Sequence, residues 1–278
     1  LAAAWGGTFV MVKDAVAVMP VFTFLTLRFF VASITLLSIS QPRRLRQLDR
    51  RAALLSILAG ALFAAGYGFQ TLGLQTTGPG QVGFITGLSV VLVPIGAAII
   101  WRVRPNRSAI VGVACAVIGL ALLTGVFNGQ PIAPGAVWVM LGTLGFAGQI
   151  LVVGALPRQI DPRVLATLQV FSTAVGCGII SILIEKPIVP ASPTVWGAIL
   201  VTGIIVSALG VILQTWAQSF TSATHTALIF ATEPVFAAIT GFILLSERLS
   251  ADQMIGCGLI LIGMLISELG NRESTLPL

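Results

Sequence analysis

Two stretches decide how this chain folds: ALLSILAGALFAAGYGFQTLGLQ at residues 53–75 and TVWGAILVTGIIVSALGVILQTWA at residues 194–217. Neither holds a charged residue. An α-helix rises 1.5 Å per residue and needs about 20 such residues to cross roughly 30 Å of hydrocarbon. The two also share a pattern, because Gly66, Gln70 and Thr71 of the first fall on Gly210, Gln214 and Thr215 of the second. The length of these runs makes the chain a membrane protein, and their likeness makes it a duplicated one.

Outward from these two, the same reading predicts apolar spans at 1–18, 21–40, 78–100, 108–126, 134–156, 163–184, 222–246 and 252–270. Turn chemistry separates them at Gln41-Pro42, Gly78-Pro79, Pro105-Asn106, Asn128-Gly129, Asp161-Pro162 and Pro190 to Pro193. The expected fold is therefore all-α and integral to the membrane, with ten helices and no soluble domain. Composition agrees: 56% of residues are hydrophobic and 9% charged, where soluble chains carry about a quarter charged. The mean hydropathy is +1.03 and the nominal pI 10.3. In a soluble protein that pI would suggest nucleic acid, but here the basic residues sit mostly in loops, where they set topology. The partners expected are the lipid bilayer and a small-molecule substrate, with no nucleic acid; monomer and oligomer both stay open. Cys115, Cys177 and Cys257 are isolated in apolar runs, which predicts neither disulfides nor a metal site, and no cofactor is expected. The opening segment lacks a basic n-region and a cleavage site. It reads as a spanning helix without its first residues, so a short N-terminal piece is expected to precede it.

Arg43, Arg44, Arg46, Arg50, Arg51, Arg102, Arg104, Arg107, Arg158, Arg163 and Arg272 fall on one side of this ten-span topology, against Lys13, Lys186 and Arg248 on the other. The positive-inside rule then places both termini, the 41–52 loop and the 271–278 tail in the cytoplasm of a cell whose inner (plasma) membrane the chain crosses many times.

An ungapped shift of 144 residues pairs Gly66 with Gly210, Gln70 with Gln214, Thr71 with Thr215, Thr77 with Thr221, Arg104 with Arg248, Gly112 with Gly256 and Gly119 with Gly263. A shift of 141 extends the match to the earlier spans, laying Thr26-Leu27-Arg28 over Thr167-Leu168-Gln169 and Gly7 over Gly148. The units are 1–126 and 134–270, with five spans each. Five is odd, so the second unit enters the membrane upside down. Inverted repeats of this kind exchange conformations about a central site, the geometry of alternating access.

The residues that follow carry a family resemblance. The stretch LQTWAQSFTSATHTALIFATEPVFAAITGFILLSERLSADQMIGCGLILIGMLISE, residues 213–268, holds Glu233-Pro234, Ser246 to Leu249 and Gly256 to Gly263 in order. The first half has Trp5 to Phe9 (WGGTF) and Leu27 to Phe29 (LRF). Over essentially the whole chain this resembles the EamA-type transporters of the drug/metabolite transporter superfamily. The resemblance implies a ten-helix basket that moves small organic metabolites, often amino acids, outward. The first half departs from the pattern: Val103-Arg104 stands where a Glu-Arg pair is common, and Ser89-Val90 replaces Glu-Pro. Pro94 comes four residues later, as if the helix break had moved by a turn.

Charges in mid-span cost about 2.5–3.5 kcal/mol each on insertion scales, so those present need a partner or a wet cavity. Arg28 lies about 12 Å below the outer end of its span and either lines the solute path or pairs with carbonyls or Glu233. Pro234 frees the carbonyl of Phe230, so the helix bends there, and Glu233 beside it serves as a proton carrier or only as part of the bend. A site at the two-fold axis draws on equivalent positions, which selects Thr8 with Gln149 and Ser89 with Glu233. Trp5, Tyr67, Phe84 and Phe230 add aromatic walls suited to apolar or aromatic solutes and organic cations, unless they are packing residues. Gln70 and Gln214 read as gate or packing hydrogen bonds. Gly83, Gly87, Pro94, Gly145 and Pro234 read as hinge or close-packing positions.

Other classes fare worse. No HExxH, GxSxG or paired aspartates support an intramembrane enzyme. No ring of like charges supports a channel, and no GxxxxGK[ST] loop supports direct ATP drive. Nucleotide-linked sugars and drugs remain as alternative cargo.

Overall fold

The computed structural model describes residues 5, 8–40, 48–102, 106–123, 134–156, 160–233, 235–236 and 250–274. Its helices begin where local chemistry satisfies their first N–H groups. The Asp49 carboxylate accepts from the backbone N–H of Arg51, and that of Asp161 accepts from Arg163, while Pro79, Pro162 and Pro193 open three helices at positions that need no N–H. In chain order the helices are α1 Phe9–Val16, α2 Val21–Ile39, α3 Arg50–Leu74, α4 Pro79–Gly87, α5 Ser89–Trp101, α6 Arg107–Leu123, α7 Ala136–Gly154 and α8 Pro162–Ile184. Then come α9 Pro193–Val201, a π-helical turn Thr202–Leu209, α10 Gly210–Gln218, α11 Ala223–Phe230 and α12 Ala251–Ser274.

Val21–Ile39, Arg50–Leu74, Gln81–Trp101, Ala136–Gly154, Pro162–Ile184 and Pro193–Gln218 are long and apolar enough to cross a membrane, and Arg107–Leu123 and Ala251–Ser267 are shorter apolar helices. The first and ninth expected spans are described mainly over α1 and α11. Ile99, Ile182 and Leu183 are each more than 70% exposed. Leaving such side chains in water forfeits about 1.5–3 kcal/mol apiece, so these faces belong against lipid.

Contact order along neighbouring helices gives their relative direction. On α6 and α12, Gly112 faces Gly263 and Gly119 faces Gly256, so numbers fall on one helix as they rise on the other and the pair is antiparallel. A Cβ built on any of these four would stand 2.6 Å from the facing glycine's carbonyl oxygen. The shift of 144 turns the first contact into the second with the two helices exchanged. A pair that maps onto itself in this way lies on a two-fold axis in the membrane plane. α2 and α8 are antiparallel as well: Thr23 and Ser181 share a hydroxyl hydrogen bond of 2.8 Å and Ser40 and Thr167 one of 2.7 Å, and the 141 shift exchanges Ser40 with Ser181 but lays Thr23 on Val164 and Thr26 on Thr167, so the two bonds themselves are not exchanged. At one end of this pair the Glu185 carboxylate accepts from the backbone N–H groups of Phe22 (2.9 Å) and Thr23 (2.8 Å), capping α2 from its partner. The chain thus folds as two inverted halves joined along two antiparallel seams.

One expectation needs correction. The span predicted at 78–100 is helical over Gln81–Trp101, but its irregularity is not displaced to Pro94. The irregularity is at Leu88, whose N–H is shared between the carbonyls of Phe84 and Ile85 at 3.2 Å each; Pro94 lies inside α5. Leu88 is the repeat mate of Thr232, where α11 also ends in a turn, so both halves turn at the same place. The span at 194–217 is helical throughout, with a π-helical turn inside it. Gly145 is a close-packing position, since a Cβ there would stand 2.8 Å from backbone atoms of Gly66 and Leu62. Pro234 lies outside the described residues.

Candidate functional site

The two halves enclose a cavity with an empty volume of about 800 Å³, its mouth included. Thr8, Ser89, Gln149 and Glu233, the two mate pairs selected by the repeat, all line it. So do Arg28, Trp5, Tyr67, Phe230, Gln70, Gln214, Gly83 and Gly87. Phe84 does not; it packs between two apolar clusters of the core. Pro94 and Gly145 also lie off the cavity wall.

Arg28 is 2% exposed. Its Nε donates to Ser207 Oγ at 2.8 Å, and its guanidinium carbon lies 4.6 Å from the centre of the Tyr67 ring. A desolvated cation over an aromatic face gains about 2 kcal/mol, but Nη2 has no partner among the described residues. Among the described residues no ion pair joins Arg28 to Glu233, nor does Glu233 accept any hydrogen bond. The cavity wall therefore carries one cation with a spare donor and one half-buried carboxyl that are not spent on each other.

Aromatic rings form the rest of the wall. Trp5 meets Phe230 edge to face at 4.8 Å, and Tyr67 meets Phe146 at 5.0 Å. Phe146 was not among the expected residues, although the 141 shift lays it on Trp5. The two rings are held alike: a Cβ on Gly66 would strike Phe146 at 2.8 Å, and one on its mate Gly210 would strike Trp5 at 3.1 Å. The π-helical turn completes this wall, because the carbonyl of Val206 accepts from Trp5 Nε1 at 3.0 Å and Ser207 receives Arg28. Irregular backbone of this kind recurs at functional sites in helices.

No group of three His, Cys, Asp or Glu side chains gathers among the described residues. The His225 ring lies within hydrogen-bond reach of Ser222 Oγ and the carbonyl of Ser267.

Comparison with known proteins adds three findings. The sequence pattern of the EamA-like transporter family matches residues 1–125 and again residues 133–269. An uncharacterized transporter of Archaeoglobus fulgidus is 31% identical over 265 residues, which cover 95% of this chain and 82% of the relative. A solved crystal structure superposes with a TM-score of 0.78 at 18% identity, covering 99% of this chain and 96% of its own.

Proposed function

The chain belongs to the EamA-like transporter family, and from that premise we propose that it is a secondary carrier for small amino acids with apolar or aromatic side chains. It binds them in the central cavity and exports them across the plasma membrane by alternating access. The observation that carries this reading is the pairing of charges that do not meet. A zwitterion brings a carboxylate for the spare Nη2 of Arg28 and an ammonium for Glu233, and each charge-assisted bond forms in a poorly hydrated site where it is strong. Trp5, Tyr67, Phe146 and Phe230 then receive an apolar side chain. Outward direction and cytoplasmic termini rest on the family resemblance and on the arginine-rich loops.

One observation favours a second cargo, organic amines without a carboxylate: Arg28 is almost wholly covered, whereas Glu233 is partly exposed. Purified protein in liposomes separates the two. Loaded with unlabelled phenylalanine, the vesicles are expected to accumulate labelled phenylalanine by counterflow. Phenethylamine, which keeps the ring and the amine, should compete at least tenfold more weakly. Equal competition would replace the zwitterion by the amine as cargo, and no counterflow with either compound would remove both.

A further inference from the structure

The cavity is not symmetric about the axis that relates its walls, and the asymmetry identifies a second mouth. On one side of the centre it reaches Val12, Thr71 and Leu74. The repeat mates of these three are Val153, Thr215 and Gln218, and they line a separate, smaller pocket with an empty volume of about 260 Å³. Between the two voids runs a chain of buried glutamines. Gln214 Nε2 donates to Gln149 Oε1 at 3.0 Å and to Gln218 Oε1 at 3.0 Å, and Gln218 Nε2 donates to the carbonyl of Ile150 at 2.9 Å. Gln149 and Gln214 line the cavity, while Gln218 lines the smaller pocket.

Among the described residues the opposite side has no such chain. Gln70, the mate of Gln214, donates instead to Thr86 Oγ1 at 2.9 Å, and Leu74, the mate of Gln218, has no polar side chain to continue it. On that side α1 is tied to the end of α3 and the following turn by two contacts of 3.4 Å, Lys13 Nζ to the carbonyl of Thr77 and Gln75 Nε2 to that of Val16. Both are at the long limit for a hydrogen bond. The glutamine chain is also incomplete: Gln149 Nε2 and Gln214 Oε1 are buried without partners among the described residues, and burial of an unsatisfied polar atom costs free energy that water or a new partner returns.

We infer that the smaller pocket is the closed second mouth of the solute path and that the Gln149–Gln214–Gln218 chain is its seal. This inference rests on the carrier reading. Breaking the ties to Gln149 and Ile150 joins the smaller pocket to the cavity and lets solute leave toward the Arg163 face, while the wall at Val12, Thr71 and Leu74 closes. The inverted repeat requires that exchange, since each half then adopts the arrangement its mate has given up.

The repeat also supplies matched reporters. In a background with alanine at positions 115, 177 and 257, Thr71→Cys and Thr215→Cys are each reacted with a water-soluble maleimide. In the parent both side chains are nearly covered, Thr71 at 2% and Thr215 at 3% exposed, so both reporters are expected to react slowly. Adding Gln214→Leu, which removes two ties, should raise the rate at Thr215→Cys by about tenfold and slow it at Thr71→Cys. Gln218→Leu, which also removes two, serves if the first variant does not fold. A folded Gln214→Leu or Gln218→Leu protein with unchanged labelling at Thr215→Cys would overturn the assignment. Labelling needs no solute, so its outcome is independent of whether counterflow bears out the carrier reading.

Discussion

Glu233→Gln is expected to lower phenylalanine counterflow by about 100-fold while leaving the purified protein monodisperse and its thermal unfolding little changed. The carboxyl accepts no hydrogen bond from the described protein, so the fold loses nothing when its charge is removed. The bound ammonium loses a charge-assisted bond, worth about 1.5–3 kcal/mol, and each 1.4 kcal/mol is about a factor of ten. Glu233→Asp should retain part of the activity. Arg28→Gln should reduce counterflow to the same extent but also destabilise the protein, because Ser207 loses its partner and Tyr67 its cation. Counterflow within threefold of the parent in a folded Glu233→Gln protein would remove Glu233 from the solute site.

The second large effect is on the fold. Gly119→Ala and Gly263→Ala are each expected to lower the unfolding temperature in detergent by many degrees, and by similar amounts. A Cβ at either position meets a carbonyl oxygen of the opposite helix at 2.6 Å. Backbone cannot rotate away as a side chain would, so α6 and α12 must separate along the seam; overpacking of this kind costs about 1–3 kcal/mol and sometimes more. Because the two-fold axis makes Gly119 and Gly263 equivalent, their penalties should agree. Gly258→Ala is the control on α12, since nothing among the described residues lies within 4 Å of a Cβ there, and it should be neutral or mildly stabilising. Unequal penalties, or tolerance at both sites, would contradict the symmetric seam.

Much of this architecture was legible in the sequence because a bilayer imposes simple requirements. Each span has to be an apolar helix of sufficient length, and a duplicated chain with five spans per half has to invert. The repeat went further: equivalence alone selected Thr8, Gln149, Ser89 and Glu233, which the fold brings to one cavity. Applied to Trp5 it would have added Phe146, but it gives no aromatic mate to Tyr67 or Phe230, which line the cavity as well. What sequence did not show is local backbone. Pro94 drew attention as the helix breaker, yet the irregularity is at Leu88, a residue with no breaking chemistry of its own, at the position where the other half also turns. The π-helical turn at Thr202–Leu209 carries no composition that marks it. It is set by tertiary partners, with Trp5 bonded to the carbonyl of Val206 and Arg28 to Ser207. The ion pair considered for Arg28 and Glu233 is absent among the described residues for the same reason, since helix spacing fixes depth in the membrane but not which neighbour a long side chain meets.

The claim on which the account depends is that the space between the inverted halves is a solute site. Counterflow of labelled phenylalanine in liposomes that contain only this protein tests it most directly. The account predicts uptake that saturates with external phenylalanine and is abolished when the vesicles hold no internal substrate. Counterflow absent for phenylalanine and for every other amino acid and amine tried, with protein shown to be folded in the same vesicles, would contradict it.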